Sequence, residues 1–423
     1  MASSIDPIII IGAGMAGLAC ATWLHRAGRP VLVLEAADGV GGRVRTDLTP
    51  DGFRLDRGFQ ILLNNYPEAR RMFDYGALNL KQYRSGALIQ LPDGQETTLE
   101  NPLHAPMMAF AALASPIGTA KDKALIVKLV AQLAGRAPQQ LLARPGTTTL
   151  EYLRNFGWSE QIIDTFFKPF FGGVYLDREL STASNFFEFV FQQFMQGAAT
   201  VPALGMQQLP EQLAGRLPGG TIRLHTPVAA VAEDGRRVHL ATGDTLAAAA
   251  VVLATDGPAA ARLLGATLPA PAHPVARMTT CTYFATAGAA PSHGYRLLHL
   301  NAQPGALAHN VAFPAEVSPA VAPPGQGLVS VSTHGAHGLS EEELTARLRT
   351  ELAAWFGPVA NMWRHLRTYQ IEQALPIYGP GQPVQQELRL GDTLFRCGDW
   401  VSYPSLNAAL GTGRQVAEML LAQ

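Results

Sequence analysis

The most specific chemistry in this chain is carried by three glycines and an acid: Gly12, Gly14 and Gly17, followed by Glu35. At this spacing the first glycine allows a tight turn off a strand. The second removes a side chain where backbone approaches a pyrophosphate, and the third lets the next helix sit close to the sheet. Met15 and Ala16 open that helix, where N–H groups without an intrahelical partner meet an anion. Glu35, with Ala36 after it, ends a second apolar run, where a carboxylate accepts hydrogen bonds from ribose hydroxyls. These residues predict a dinucleotide site, and by themselves they do not separate FAD from NAD.

The elements that must position them are equally plain. Ile8 to Ile11 is an unbroken run of isoleucine, an alanine-rich helical segment follows the glycines, and Val31 to Leu34 is the next strand. A second glycine turn comes directly after the acid, with Gly41, Gly42, Arg43 and Arg45, and then an Asp56-Arg57-Gly58 corner with Phe59 and Gln60. Other chemistries are not supported. No Ser/His/Asp nucleophilic set stands out and the histidines show no metal spacing, so no metal is expected. His334 and His337, just after a strand, are read as loop histidines in preference to groups facing a cofactor.

With 423 residues, two domains are expected. Lys+Arg total 32 against Asp+Glu 33, with no basic block, which argues against nucleic acid as a partner. Cys20, Cys281 and Cys397 lie far apart and form neither a disulfide framework nor a metal set. With no secretory leader seen, a cytoplasmic location is expected, with peripheral membrane contact left open. The apolar run Met107 to Pro116 is too short to span a bilayer.

Ala87 to Leu91 with Pro92-Asp93-Gly94 reads as a hairpin. Lys121 to Leu133 and Thr149 to Phe156 read as helices, and Ser159 to Phe171 as an aromatic segment broken by Pro169 and the pair Gly172-Gly173. Asn185 to Met195 carries Phe186, Phe187, Phe189, Phe191 and Phe194. Most of that stripe reads as core, while Phe187 and Phe191 are candidates for lining an apolar cavity. Ala247 to Leu253 reads as a buried strand, Thr279 to Ala285 and Gly327 to Thr333 as strands, and Glu341 to Trp355 as a helix opened by a Ser340–Glu343 capping box. Near the end, strand-like Leu394 to Cys397 gives Gly398-Asp399, then Tyr403, Pro404, Ser405 and a helix starting near Leu406.

Taken together, the glycine fingerprint, Glu35, Gly41-Gly42-Arg43, Asp56 to Gln60, Pro202 to Pro210, and Gly398-Asp399 with Ser405 to Gly413 resemble the flavin-containing amine oxidase superfamily. Its wider members include protoporphyrinogen oxidases and phytoene desaturases. The resemblance runs from residue 8 to residue 418. It implies an α/β fold: a Rossmann-like FAD-binding domain of the two-dinucleotide-binding type, with an interleaved α+β substrate domain. The expected division is 5–80, 200–260 and 376–423 for FAD, and 81–199 with 261–375 for substrate. Carried over residue by residue, Gly12, Gly14, Met15, Ala16 and Gly17 hold pyrophosphate and Glu35 the ribose. Gly41, Gly42 and Arg43 approach the pyrophosphate and flavin, near Gly58 and Phe59. Val228 contacts adenine through its backbone, and Gly398 and Asp399 meet the ribityl–pyrophosphate part. Leu406, Asn407 and Ala408 face the flavin ring from a helix start, where fixed donors suit an edge that becomes anionic on reduction.

The resemblance also has gaps. Many amine oxidases of this superfamily use a strand-borne lysine, and no lysine follows Lys168 here. No cysteine follows Cys397, so noncovalent FAD is expected. The resulting expectation is an oxidoreductase that takes hydride from a C–H bond of an amine or unsaturated, apolar small molecule, with oxygen or another electron acceptor. Tyr283, Tyr378 and Tyr403 are further cavity candidates, and no general base is assigned. The alternatives are a flavin-binding structural or regulatory protein with little turnover, and a nicotinamide-dependent reductase.

Overall fold

The computed structural model describes residues 6–100, 116–265, 276–288, 292 and 294–423. The apolar run at 107–115 lies outside them.

Ile8–Ile11 pairs in parallel with Val31–Leu34 on one side and with Ala250–Leu253 on the other. Ile222–Arg223 and Leu394–Arg396 extend the two edges, giving a five-stranded parallel sheet. Every side chain of Ile8–Ile11 is buried, as expected for a central strand covered on both faces. The sequence run at Ala247 to Leu253 divides in the fold. Thr245–Ala247 joins a small antiparallel sheet with Val228–Val231 and Arg237–Leu240, and only Ala250–Leu253 enters the parallel sheet.

The helix Met15–Arg26 crosses the final helix, Leu406–Leu421, at a contact that only glycine permits. A Cβ at Gly413 would sit 2.2 Å from the Ala16 carbonyl oxygen. The two ends of the chain are thereby packed backbone to backbone over one sheet.

A seven-stranded mixed sheet forms the second layer. Its order is Arg364–Pro376, Ala276–Ala287, Gln326–His334, Asn310–Ala312, Leu298–Asn301, Gly86–Gln90 and Glu96–Glu100. The helix Glu341–Phe356 packs on it, Leu344, Leu348 and Leu352 meeting Val329 and Val331, while Ala120–Leu133 and Thr149–Phe156 gather around the phenylalanine helix Ser184–Gln196.

The segment that reads as broken at Pro169 and Gly172-Gly173 is helical throughout. Glu160–Ile162 passes through a π-helical stretch, Ile163–Phe167, into Lys168–Tyr175. Pro169 comes just after the π-helical stretch, so the residue without an N–H sits where the hydrogen-bond ladder already changes its spacing. The glycine pair serves packing: a Cβ at Gly173 would lie 3.2 Å from His309 Nε2 and 3.3 Å from Asn310 Nδ2. Among the described residues, no helix is long and apolar enough to cross a membrane.

Candidate functional site

Gly12 has φ +106°, and a Cβ there would come within 2.9 Å of the Ala254 carbonyl oxygen on the neighbouring strand. Only glycine satisfies both constraints. A Cβ on Gly17 would lie 2.1 Å from the Gly12 oxygen, so Gly17 belongs to the helix–sheet packing and does not reach the cavity. Gly14 differs from both. Its added Cβ would meet nothing within 4 Å, and with Met15 and Ala16 it lines a large cavity. No side chain caps this helix start; Gly14 bridges in parallel to Gly41, which turns the Met15 N–H toward the Gly41 carbonyl and leaves that of Ala16 without a partner inside the helix.

The second glycine turn docks on the first, with the Gly41 N–H donating to the Ala13 carbonyl at 2.8 Å. From it Arg43 donates to Asp399 Oδ1 at 2.6 Å and to the Ala374 carbonyl at 3.1 Å. Asp399, the dominant neighbouring charge, raises the Arg43 pKa further above its already high ordinary value. Glu35 is partly committed to backbone. Its Oε2 accepts the Ala13 N–H at 2.7 Å and its Oε1 the Ala37 N–H at 2.9 Å. That occupies two of a carboxylate's roughly four lone-pair positions.

Glu35, Ala36, Gly41, Gly42, Arg43, Gly58, Phe59, Val228, Gly398, Asp399 and Leu406 all line this cavity, whose volume is about 1200 Å³. It continues from there between the helices and the mixed sheet. On the helical side its wall includes Phe166, Phe170, Phe191 and Phe194. On the sheet side it is a row taking one residue from each of seven neighbouring strands: Ile371, Thr279, Ser332, Asn310, Leu298, Ala87 and Leu99. Ile371 pairs with Thr279, Asn310 with Ser332, and Ala87 with both Leu298 and Leu99.

Several sequence candidates stand elsewhere. Phe187 is one turn before Phe191 on the same side of its helix, but Phe171 covers it with ring centroids 4.8 Å apart. The Tyr283 hydroxyl donates to the Asp56 carbonyl at 2.9 Å, behind the cavity wall. Tyr378 and Tyr403 are buried and accept from Asn185 Nδ2 at 3.3 Å and from Asn407 Nδ2 at 2.8 Å.

Asn407 also accepts the Glu68 N–H through Oδ1, and the Ala408 N–H is taken by the cap Ser405 Oγ. Neither residue lines the cavity, because the cap and the packing use the groups that a ligand would need. Pro404, Ser405, Leu406 and Ala409 line it there. His334 ends its strand and is no loop residue. It is stacked on His309 at 3.9 Å, and burial pushes its pKa down to about 3. His337 bonds Thr333 Oγ1, and neither histidine lines the cavity.

Beside the Gly58 corner, the Asp56 carboxyl is enclosed and its pKa is raised to about 6 by burial, against hydrogen bonds from Thr46 and Met206 N. A carboxyl with a raised folded pKa binds its proton more readily folded than unfolded. Its ionisation therefore erodes stability as pH rises from about 4 to about 6. Asp56→Asn removes this titration. The thermal midpoint of the wild type should fall relative to that of the variant across this window, and run parallel to it above pH 7. Parallel curves through the whole range would contradict the assignment.

The sequence pattern of the family described as flavin containing amine oxidoreductase matches residues 15–421. The chain belongs to that family. Putrescine oxidase of Kocuria rosea is 30% identical over 240 residues, covering 52% of this chain and 48% of that protein. Phytoene dehydrogenase of Streptomyces griseus is 28% identical over 299 residues, covering 62% of this chain and 57% of that protein. In these alignments the chain spans about half the length of the curated relatives.

Among solved structures, putrescine oxidase bound to putrescine superposes with a TM-score of 0.73 at 19% identity, over 99% of each chain. An oxidoreductase from Methanosarcina mazei gives 0.74 at 16% identity, over 97% of this chain and all of the other. These likenesses establish the α/β fold of the flavin amine oxidoreductase family.

Phe166, Phe170 and the row across the mixed sheet also line the cavity and were not among the residues singled out from the sequence. The helical segment from Ile163 to Tyr175 carried a usable signal in its closely spaced phenylalanines. The row had none, because its residues are contributed by strands far apart in sequence.

Proposed function

We propose that this chain is an FAD-dependent oxidoreductase that removes hydride from a C–H bond of an apolar amine or unsaturated substrate. The observation that supports it best is one continuous cavity, joining the glycine turns and Glu35 at one end to an aromatic and aliphatic chamber at the other. The residues fit the cofactor. Gly14 leaves open space where a pyrophosphate must approach, Ala16 offers a helix N–H beside Met15, and Glu35 retains lone pairs for a ribose. In this reading the parallel sheet is the FAD-binding half, of the two-dinucleotide-binding Rossmann type, built from 5–80, 200–260 and 376–423. The substrate half is 81–199 with 261–375.

Bound FAD supplies the hydride acceptor and passes electrons to oxygen or another acceptor. The chain's own part is to hold Val228 backbone at the adenine, to fix Arg43 and Asp399 beside the pyrophosphate, and to exclude water from the substrate chamber with phenylalanines. Binding is noncovalent: no cysteine is among the described lining residues, and the buried Cys397 thiol is pushed up to about 12.

The chamber also argues against a small dication. Glu100, the carboxylate at the far end of the sheet-side wall, is already paired with Arg84 at 2.7 Å. Anaerobic mixing with candidate reductants tests the reading. An apolar secondary amine, a porphyrinogen or a polyene should bleach the bound flavin rapidly, and putrescine should leave it oxidised. If none of the apolar compounds bleaches it, the protein is a flavin binder without this chemistry.

A further inference from the structure

Three tyrosines with rings against Phe186 of the phenylalanine helix, Tyr175, Tyr378 and Tyr403, have hydroxyls that face no ligand. Those of Tyr378 and Tyr403 accept from Asn185 and Asn407, and that of Tyr175 is sealed off. Tyr66 is different. Its ring stacks on Phe189 with centroids 5.9 Å apart, the residue is 8% exposed, and it lines the cavity. Its hydroxyl has no hydrogen-bond partner among the described residues, yet it is not one of the sealed atoms, so the surface it keeps opens on the cavity. The lining side chains from the strand before it and the two helices beside it, Leu63, Phe186, Val190, Leu406 and Ala409, are apolar and offer it nothing. Burial, with Tyr403 nearby, holds the Tyr66 phenol above its ordinary range, so it stays protonated and stands in the cavity as a donor. A nearly buried hydroxyl without a partner is costly, and one that opens on a cavity points to a ligand atom that completes it.

Two hydrogen bonds fix where that donor stands. The Tyr66 N–H donates to the Leu63 carbonyl at 3.0 Å, and Leu63 pairs with Ala199, both of them in the cavity wall. Just beyond, the Glu68 N–H donates to Asn407 Oδ1 at 2.9 Å, which fastens this turn to the helix start assigned to the flavin ring. We infer that Tyr66 donates a hydrogen bond to the substrate at its cofactor end, and that the substrate carries an acceptor there: a carbonyl or ether oxygen, or a neutral amine nitrogen. The inference rests on the proposed function and deepens it. It narrows the substrate to an apolar molecule with one such atom, and it sets aside an ammonium at this position, which has no lone pair to offer.

Anaerobic calorimetric titration of the purified holoprotein with 2-acetylnaphthalene and 2-isopropenylnaphthalene tests this. The two have the same shape, and the second replaces the carbonyl oxygen by a methylene group. In Tyr66→Phe the affinity for the ketone should fall about fivefold, the worth of one neutral hydrogen bond, while that for the alkene is kept. A loss shared equally by both probes would leave Tyr66 a packing role and overturn the inference. So would an unchanged ketone affinity in the variant, or no binding of either probe by the wild type. FAD affinity is measured on the same proteins: a fall of similar size in Tyr66→Phe would hand the contact to the cofactor and also overturn it. Absence of FAD from the wild type counts against the proposed function itself, whereas an unchanged ketone affinity in flavin-loaded variant counts against this inference alone.

Discussion

Gly14→Ala is expected to weaken FAD binding by about a hundredfold, or ~2.7 kcal/mol, while the apoprotein keeps its stability to within about 1 kcal/mol. The two effects separate because of where the new methyl would go. In the protein alone it meets nothing within 4 Å. The cost arises only when a pyrophosphate occupies that space and must both avoid the methyl and reach the helix N–H groups. Gly12→Ala is the contrasting control. It forces a side chain onto φ +106° and into the Ala254 carbonyl, so it should destabilise the apoprotein as well. Fluorescence titration with FAD, alongside thermal unfolding of the apoproteins, reads both quantities. Normal FAD affinity in Gly14→Ala would mean that the open space beside this glycine is not where the cofactor lies.

Arg43→Met should cost both cofactor and stability, and a second substitution should restore only one of them. Arg43 and Asp399 form a 2.6 Å ion pair in which Asp399 is 8% exposed and Arg43 40%. Removing the cation leaves a nearly buried carboxylate unpaired. Breaking a fully buried pair costs about 3–5 kcal/mol, and the partial exposure of Arg43 reduces this to about 1–3 kcal/mol. Arg43→Met with Asp399→Asn should regain most of that stability and still bind FAD poorly, because the double variant lacks both the cation and the carboxylate assigned to the cofactor. Denaturant unfolding and flavin retention on gel filtration separate the two outcomes. Full recovery of FAD binding in the double variant would limit the pair to a structural role.

The parallel sheet was the most legible part of the chain, for local reasons. Ile8 to Ile11 and Val31 to Leu34 are short, fully apolar runs bounded by glycine and charge, and such runs fit only a covered strand. The strand Arg364–Pro376 was missed because it is an edge, carrying Arg364, Arg367, Gln370 and Glu372 in place of an apolar alternation. At the site, positions fixed by backbone geometry could be read: Gly12, Gly14 and the Gly41-Gly42 turn stand where their spacing puts them.

Side chains chosen for being aromatic or polar were less legible. Tyr283, Tyr403 and Asn407 are recruited to hydrogen bonds within the fold, and no local pattern distinguishes such a tyrosine from one in a cavity wall. Phe187 and Phe191 share a helix face, but Phe187 is covered by the rings of Phe171, Phe167 and Tyr152 while Phe191 lines the cavity, an outcome set by elements distant from this helix.

The most direct test is to denature freshly purified protein, remove the chain by filtration, and identify what is released by absorbance and chromatography. About one FAD per chain is the expected result, with added FAD restoring colour to the refolded or apo form. A filtrate without flavin, from a protein that neither binds added FAD nor gains thermal stability from it, would contradict the assignment.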